Sequence, residues 1–235
     1  MSDHMKRLAA PRSWPIQRKV FVWVTKQSAG SHSVETSVPL TFFLRDMIKV
    51  CDTAREAKRI VGNRSLLIDG KPARSVKAPV GLMDVVAIPD MDLYYRVALT
   101  DKGKIAAVKI KKEEADWKIC RIENKTKVAG GKIQLNLHDG RNIVLDKNAY
   151  KTGDALKISV PDQKILETYP LAEGAFVLVA SGQHSGKTAT VSEYVKTMEV
   201  SENIVKFTDG TETVKSNVFV IGTKTPAIKL PEGSE

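Results

Sequence analysis

Between residues 40 and 63 the chain reads Leu40-Thr-Phe-Phe-Leu-Arg-Asp-Met-Ile-Lys-Val-Cys-Asp-Thr-Ala-Arg-Glu-Ala-Lys-Arg-Ile-Val-Gly-Asn63. Leu40, Phe43, Leu44, Met47 and Ile48 recur at helical spacing, with Arg45, Asp46 and Lys49 left outside. Pro39 suits a helix start, because its missing N–H is not needed there. Thr53-Ala-Arg-Glu56 is a capping box, in which hydroxyl and carboxylate each take an orphan amide of the first turn. Ala54, Ala57, Ile60 and Val61 then form one apolar stripe. Arg55, Lys58 and Arg59 fall on the other face at i, i+3 and i+4. Gly62-Asn63 supplies the stop. The segment predicts two short helices packed on each other, the second showing three cations in one patch.

Downstream, Leu66-Leu67-Ile68 runs into Asp69-Gly70, a hairpin turn signal, and Val85 to Ile88 is a strand ended by Pro89. Upstream, residues 1–36 carry Pro11, Pro15 and Gly30 and no sustained periodicity. A short apolar alternation, Val20 to Val24 with Phe21 and Trp23, can dock on something. The rest of this arm is expected to be loose in free solution, its ordering cost offset by a partner.

Charge is concentrated at the same end. Residues 1–36 hold six cations and two carboxylates, a net +4, and residues 37–90 hold nine and six, a net +3. The remaining 145 residues hold 22 and 19, so only +3 of the +10 total lies there. A cationic arm joined to a small cationic domain is the footprint of a protein that grips a polyanion.

From residue 91 the pattern is nearly all β. Val97 to Leu99 and Ile105 to Val108 flank Asp101-Lys-Gly103, and residues 113–118 suit one helical turn. Ile133, Leu135 and Leu137 alternate, Asp139-Gly140 turns, and Ile143 and Leu145 return. Leu156, Ile158 and Val160 alternate again. Phe176 to Val179, Val191, Val205 to Phe207, an Asp209-Gly210 turn and Val218 to Ile221 complete a series of short strands that suggests small barrels. The expected organisation is an arm (1–36), a helix-pair domain (37–90), a central β domain (91–170), a β barrel (171–222) and a tail (223–235).

Other classes are disfavoured. No apolar run approaches the roughly 20 residues that span a bilayer, so no membrane partner is expected. No apolar segment comes after the N-terminal charges, so no signal peptide is expected. Cys51 and Cys120 are far apart and read as reduced, buried residues of a cytosolic protein. The scattered His4, His32, His138 and His184 give no metal spacing, and no metal or cofactor is expected. Gly182-Gln-His-Ser-Gly186-Lys187-Thr188 imitates a phosphate loop, but only three residues separate its glycines where four are needed. The next residues, Ala189-Thr190-Val191, look β-like rather than helical. No nucleophile–base pair or methyl-donor loop is visible, so no catalytic residue and no small-molecule substrate are expected.

The segment Leu40 to Pro89 resembles the S-four-type RNA-binding domain. Phe176-Val-Leu-Val-Ala-Ser-Gly-Gln-His-Ser-Gly186 resembles a KOW motif, although the glycine that pattern has three residues later is Ala189 here. Together with His4-Met-Lys-Arg-Leu-Ala-Ala-Pro-Arg-Ser-Trp14, Val38-Pro-Leu40, Phe43-Leu-Arg45, Ile68-Asp-Gly-Lys71, Gly81-Leu-Met-Asp84-Val and Ser216-Asn-Val-Phe-Val-Ile-Gly222, they resemble, in order and over essentially the whole chain, the archaeal and eukaryotic small-subunit ribosomal protein family of the S-four-e type. The resemblance implies an α+β, mainly β chain: a two-helix RNA-binding domain, a central β domain and a C-terminal SH3-like KOW barrel. It implies a non-catalytic constituent of the cytoplasmic small ribosomal subunit, with small-subunit ribosomal RNA and neighbouring ribosomal proteins as partners. The short length points to an archaeal member.

With that resemblance, Lys6, Arg7, Arg12, Arg18 and Lys19 become candidate phosphate contacts, and Trp14 a candidate stacking side chain. The bland alternative is a frayed terminus, with Trp14 packed on the protein. Arg55, Lys58 and Arg59, extended by Arg45, Arg64, Lys71 and Arg74, are candidates for the RNA backbone. The alternative is a solvated helix face partly neutralised by Glu56 and Asp52. Gly182 and Gly186 would let RNA approach closely, with Lys187 near phosphate, or they simply supply turn geometry. Two competing functions use the same modules: an RNA-modifying enzyme of the pseudouridine synthase kind, and an accessory translation factor. The first needs Gly-Arg-Leu-Asp, of which Gly140-Arg-Asn-Ile143 is only an echo.

Overall fold

The computed structural model describes residues 4–147, 149–198 and 201–231, so the first three residues of the arm and the last four of the tail lie outside the described residues. The chain is mainly β and forms two compact units. Of the described residues, one takes 4–98 together with Lys104–Lys118, and the other takes Leu99–Gly103 and those from Ile119 to residue 231.

In the first unit β1 (His4–Lys6) pairs antiparallel with β2 (Trp23–Thr25). β3 (Ser37–Pro39) leads into α1 (Leu40–Phe42), whose path continues as a wider turn over Phe43–Met47 closed by the Ile48 N–H on the Phe43 carbonyl at 3.0 Å. Leu40, Phe42, Phe43 and Leu44 are all buried here, more than one helical face, and Trp14 of the arm covers Phe42. α2 (Ala54–Gly62) buries Ala57 and Val61. Its capping box is present: the Glu56 N–H donates to Thr53 Oγ1 at 3.2 Å, and the Glu56 carboxylate accepts from the Asp52 and Thr53 amides.

β4 (Leu67–Ile68) and β5 (Lys71–Pro72) are joined by the Asp69-Gly70 turn. β6 (Pro79–Gly81) pairs with β3. β7 (Val85–Ile88), β8 (Leu93–Leu99) and β9 (Ile105–Lys109) complete a sheet ordered β5-β4-β7-β8-β9. The boundary expected at residues 90 and 91 therefore falls between β7 and β8, two strands that are hydrogen-bonded to each other.

From His4 onward the arm, expected to be loose, makes defined contacts within the first unit. Trp14 is 1 % exposed, donates Nε1–H to the Ser37 carbonyl at 2.7 Å and stacks 5.5 Å from Phe42. Arg18 donates to the Ala10 and Pro11 carbonyls at 2.6 and 2.8 Å, and Ser28 N–H reaches Lys77 O at 2.9 Å. Behind these lies a buried ionic cluster. Lys118 Nζ sits 2.6 Å from Asp69 Oδ2 and 3.0 Å from Asp84 Oδ1, and Asp84 Oδ2 is 2.9 Å from His32 Nε2. Gly81 permits this, since a Cβ there would stand 2.3 Å from the His32 ring.

In the second unit β10 (Trp117–Lys127, whose first two residues belong to the first unit), β11 (Ile133–Leu137), β12 (Asn142–Leu145), β13 (Ala155–Ser159) and β14 (Ile165–Tyr169) order as β12-β11-β10-β13-β14. Cys120, Ile122, Leu135, Leu137, Leu156 and Ile158 fill its core. β15 (Phe176–Val179), β16 (Thr188–Val195), β17 (Ile204–Phe207), β18 (Glu212–Val214) and β19 (Val218–Gly222) order as β18-β17-β16-β15-β19. The last strand pairs with the first and the eight-residue β16 carries a bulge near Val191, as in a small curled sheet. A strand, not a helix, begins after Lys187, in keeping with the rejection of a phosphate loop.

Candidate nucleic-acid interface

On α2 the buried stripe leaves Arg55, Lys58 and Arg59 exposed together. Glu56, the carboxylate expected to dilute this patch, is turned back onto the cap. Its pKa is held below the ordinary range by the Asp52 amide first and then by Thr53. It therefore serves the helix end while the three cations face solvent. Arg64 comes just after α2 at a left-handed φ of 58° and is exposed, as are Lys71 on β5 and Arg74 beyond it. Arg45 is different: half-buried, it is paired with Asp46 at 2.7 Å.

In the arm, Lys6, Arg12 and Lys19 are exposed. Trp14 is corrected from a stacking candidate to a core residue, because its indole is enclosed and its N–H is bonded inside the protein. Arg7 is also buried: its Nε donates to Gln17 O at 3.0 Å and its guanidinium lies 5.5 Å from the centre of the Phe21 ring. Arg18 is half-buried and committed to backbone carbonyls around Pro11, in a segment with only one short helical turn to satisfy them. These two arginines and the tryptophan fasten the arm from within.

In the β15–β16 turn, Gly182 and Lys187 are exposed and Gly186 is buried. A Cβ on Gly186 would stand 1.9 Å from the Thr100 carbonyl oxygen, and its φ is +93°. The close approach this glycine allows is to the protein's own backbone at residues 100–103, not to an outside strand.

The alternation from Val20 to Val24 marks a docking segment but not which side chains it leaves in solvent, and these include Phe21 and Trp23. Nor does sequence spacing bring together Cys120, His138 and Asp139, whose donor atoms lie within 4.8 Å of one another. Those atoms already have protein partners: Cys120 Sγ is 3.6 Å from Asp139 Oδ2, Asp139 is paired with Arg141 at 3.1 Å, and His138 Nδ1 accepts the Arg121 N–H. A guanidinium beside the carboxylate opposes a metal ion there. Among the described residues no helix is long and apolar enough to cross a membrane.

Two family models match the chain: Ribosomal family S4e over residues 91–165 and the RS4NT (NUC023) domain over residues 1–35. The small ribosomal subunit protein eS4 of Ignicoccus hospitalis is 42% identical, covering 98% of this chain and 96% of its own length. That of Methanothermobacter thermautotrophicus is 41% identical over the same shares. The crystal structure of the 30S ribosomal protein S4e from Thermoplasma acidophilum superposes with a TM-score of 0.71 at 38% identity, covering 80% of this chain and 96% of that one.

Proposed function

This chain belongs to ribosomal family S4e, and we propose on that footing that it holds small-subunit ribosomal RNA through the exposed cations of its arm and of α2. It is a structural constituent of the small ribosomal subunit in the cytoplasm, not an enzyme, and ribosomal RNA and ribosomal proteins are its partners. The relatives give no support to the RNA-modifying or accessory-factor alternatives.

The phosphate contacts we assign are Lys6, Arg12 and Lys19 in the arm, Arg55, Lys58 and Arg59 on α2, Arg64, Lys71 and Arg74 beside them, and Lys187 in the β15–β16 turn. Arg7, Trp14, Arg18 and Arg45 act from inside the fold, and Gly182 and Gly186 shape a turn. The observation that carries this reading is the α2 face: three exposed cations one helical turn apart, with the intervening carboxylate withdrawn to the cap. The three cations, at i, i+3 and i+4, form one compact patch that can neutralise neighbouring phosphates of an RNA backbone, and binding is driven by release of the counterions they replace.

Affinity of the full chain for protein-free small-subunit rRNA, measured across a salt series, tests the reading. The logarithm of the binding constant should fall linearly with the logarithm of salt. Replacing Arg55, Lys58 and Arg59 together by Gln should flatten the slope by about 2–3, at roughly 0.7–0.9 for each phosphate no longer neutralised. Equal binding at low and high salt would refute it.

A further inference from the structure

At the end of the β1–β2 ribbon, and in the segments that lead out of β1 and into β2, lies an apolar surface that charge alone does not explain. Leu8, Val20, Phe21, Val22 and Trp23 all stand in solvent, with Phe21 68 % and Trp23 58 % exposed. Single exposed apolar residues are ordinary, whereas four consecutive ones including two aromatics mark a surface that something covers. The register sets Lys6 opposite Trp23, and the His4 ring lies 5.8 Å from the indole. The Arg7 guanidinium, fixed by Gln17 O, lies over Phe21. A groove of about 850 Å³ is lined by Arg7, Phe21, Val22 and Trp23 from the arm and by Arg45, Asp46, Lys49 and Asp52 from the helix pair.

The groups around the rings set the chemistry of the occupant. From His4 to Val34 the chain has six cations and no carboxylate. In the groove Asp46 is already paired with Arg45, and the cations outnumber the carboxylates. Aromatic faces interleaved with cations suit one kind of ligand above others, a single nucleic-acid strand, which presents a base π-face and a phosphate at every step. A base inside a duplex is stacked on both sides and cannot use such a platform.

We propose that Phe21 and Trp23 form a stacking platform for unpaired nucleobases of small-subunit rRNA, with Lys6 and Lys49 taking the flanking phosphates. This rests on the rRNA reading above and deepens it: the arm selects a single-stranded segment through ring faces, besides gripping backbone through charge.

The test is binding of the full chain to protein-free small-subunit rRNA with Phe21→Ala and Trp23→Ala. Each should weaken binding at fixed salt by roughly five- to a hundredfold, while the salt slope stays unchanged, since a stacking interaction displaces no counterion. Phe21→Tyr and Trp23→Phe should keep most of the affinity. The part of the tryptophan emission that Trp23→Phe removes should be quenched by RNA. Both side chains are exposed, so melting temperatures of the variants should stay within a few degrees of the parent, which separates lost binding from lost fold. Parental affinity in both alanine variants, or Trp23 emission indifferent to RNA, overturns the proposal. So does parental affinity for free rRNA combined with failure to enter subunits assembled from all their proteins, which would make the face a protein seat. If the unaltered chain itself does not bind rRNA, the parent reading has failed and this one falls with it.

Discussion

Lys118 has no solvent exposure, yet its ammonium has two carboxylates within 3.0 Å. Burial alone works to raise the Asp84 carboxyl, but Lys118, His32 and the Gly81 amide outweigh it and hold Asp84 far below the usual carboxylate range. A carboxyl depressed by folding contributes stability that is complete above its unfolded value, near 4, and is lost as pH falls toward its folded value. Lys118→Met should therefore do two things. It should destabilise the first unit by about 3–5 kcal/mol, because two buried carboxylates are left without their counter-charge. It should also introduce a pH dependence the parent lacks in this range: with Lys118 gone the burial of Asp84 favours its neutral form, so urea unfolding should show the variant gaining stability relative to the parent between pH 7 and pH 5. A variant whose stability runs parallel to the parent's across that range would refute this account. None of it was legible in the sequence. Lys118 sits 49 residues from Asp69 and 34 from Asp84, and a lysine in a strand reads as solvent-facing until the fold encloses it. Trp14 and Arg7 were misjudged for the same reason: their partners, Ser37, Phe42 and Gln17, are chosen by tertiary packing and not by local pattern.

Helices and turns were read more faithfully, because their signals are local. The Thr53/Glu56 capping box formed as its spacing predicts, and the Asp69-Gly70, Asp139-Gly140 and Asp209-Gly210 pairs each close a hairpin. A left-handed Gly at the turn is a demand the sequence states outright. Thr53→Ala removes one half of the cap and should cost about 1 kcal/mol in thermal or urea unfolding, with RNA affinity falling only as far as α2 frays. The widened turn after α1 was not foreseen, since its apolar spacing also fits an ordinary helix. Gly186 was seen as a turn glycine, but its neighbour was not. Gly186→Ala meets the Thr100 carbonyl and a φ of +93° together, and should destabilise the second unit by roughly 1–3 kcal/mol or more, visible as a lower melting temperature. If glycine were needed there only to admit RNA, that melting temperature would not move.

The mainly β architecture and the order of its parts were legible from end to end, because alternation and turn residues recur throughout the chain. What a linear reading misses is that the first unit is not one continuous stretch of chain. It takes the chain to Ala98 and again from Lys104 to Lys118, while Leu99–Gly103 belongs to the second unit. A fragment ending at residue 110 retains the whole helix pair but lacks the lysine that neutralises Asp69 and Asp84. It should give a broad, non-cooperative melt where a fragment carrying residues 111–118 gives a sharper one.

This threading has a meaning for biosynthesis. The cationic N-terminal end is translated first, but its closing counter-ion emerges 49 residues after Asp69. At a synthesis rate of about 5–20 residues per second, the nascent arm and helix pair wait roughly 2–10 seconds with their two aspartates still hydrated. During that interval a strongly cationic, half-finished segment is in reach of any polyanion. The buried ion cluster of this segment therefore cannot be complete until β10, the strand that leads into the second unit, has begun.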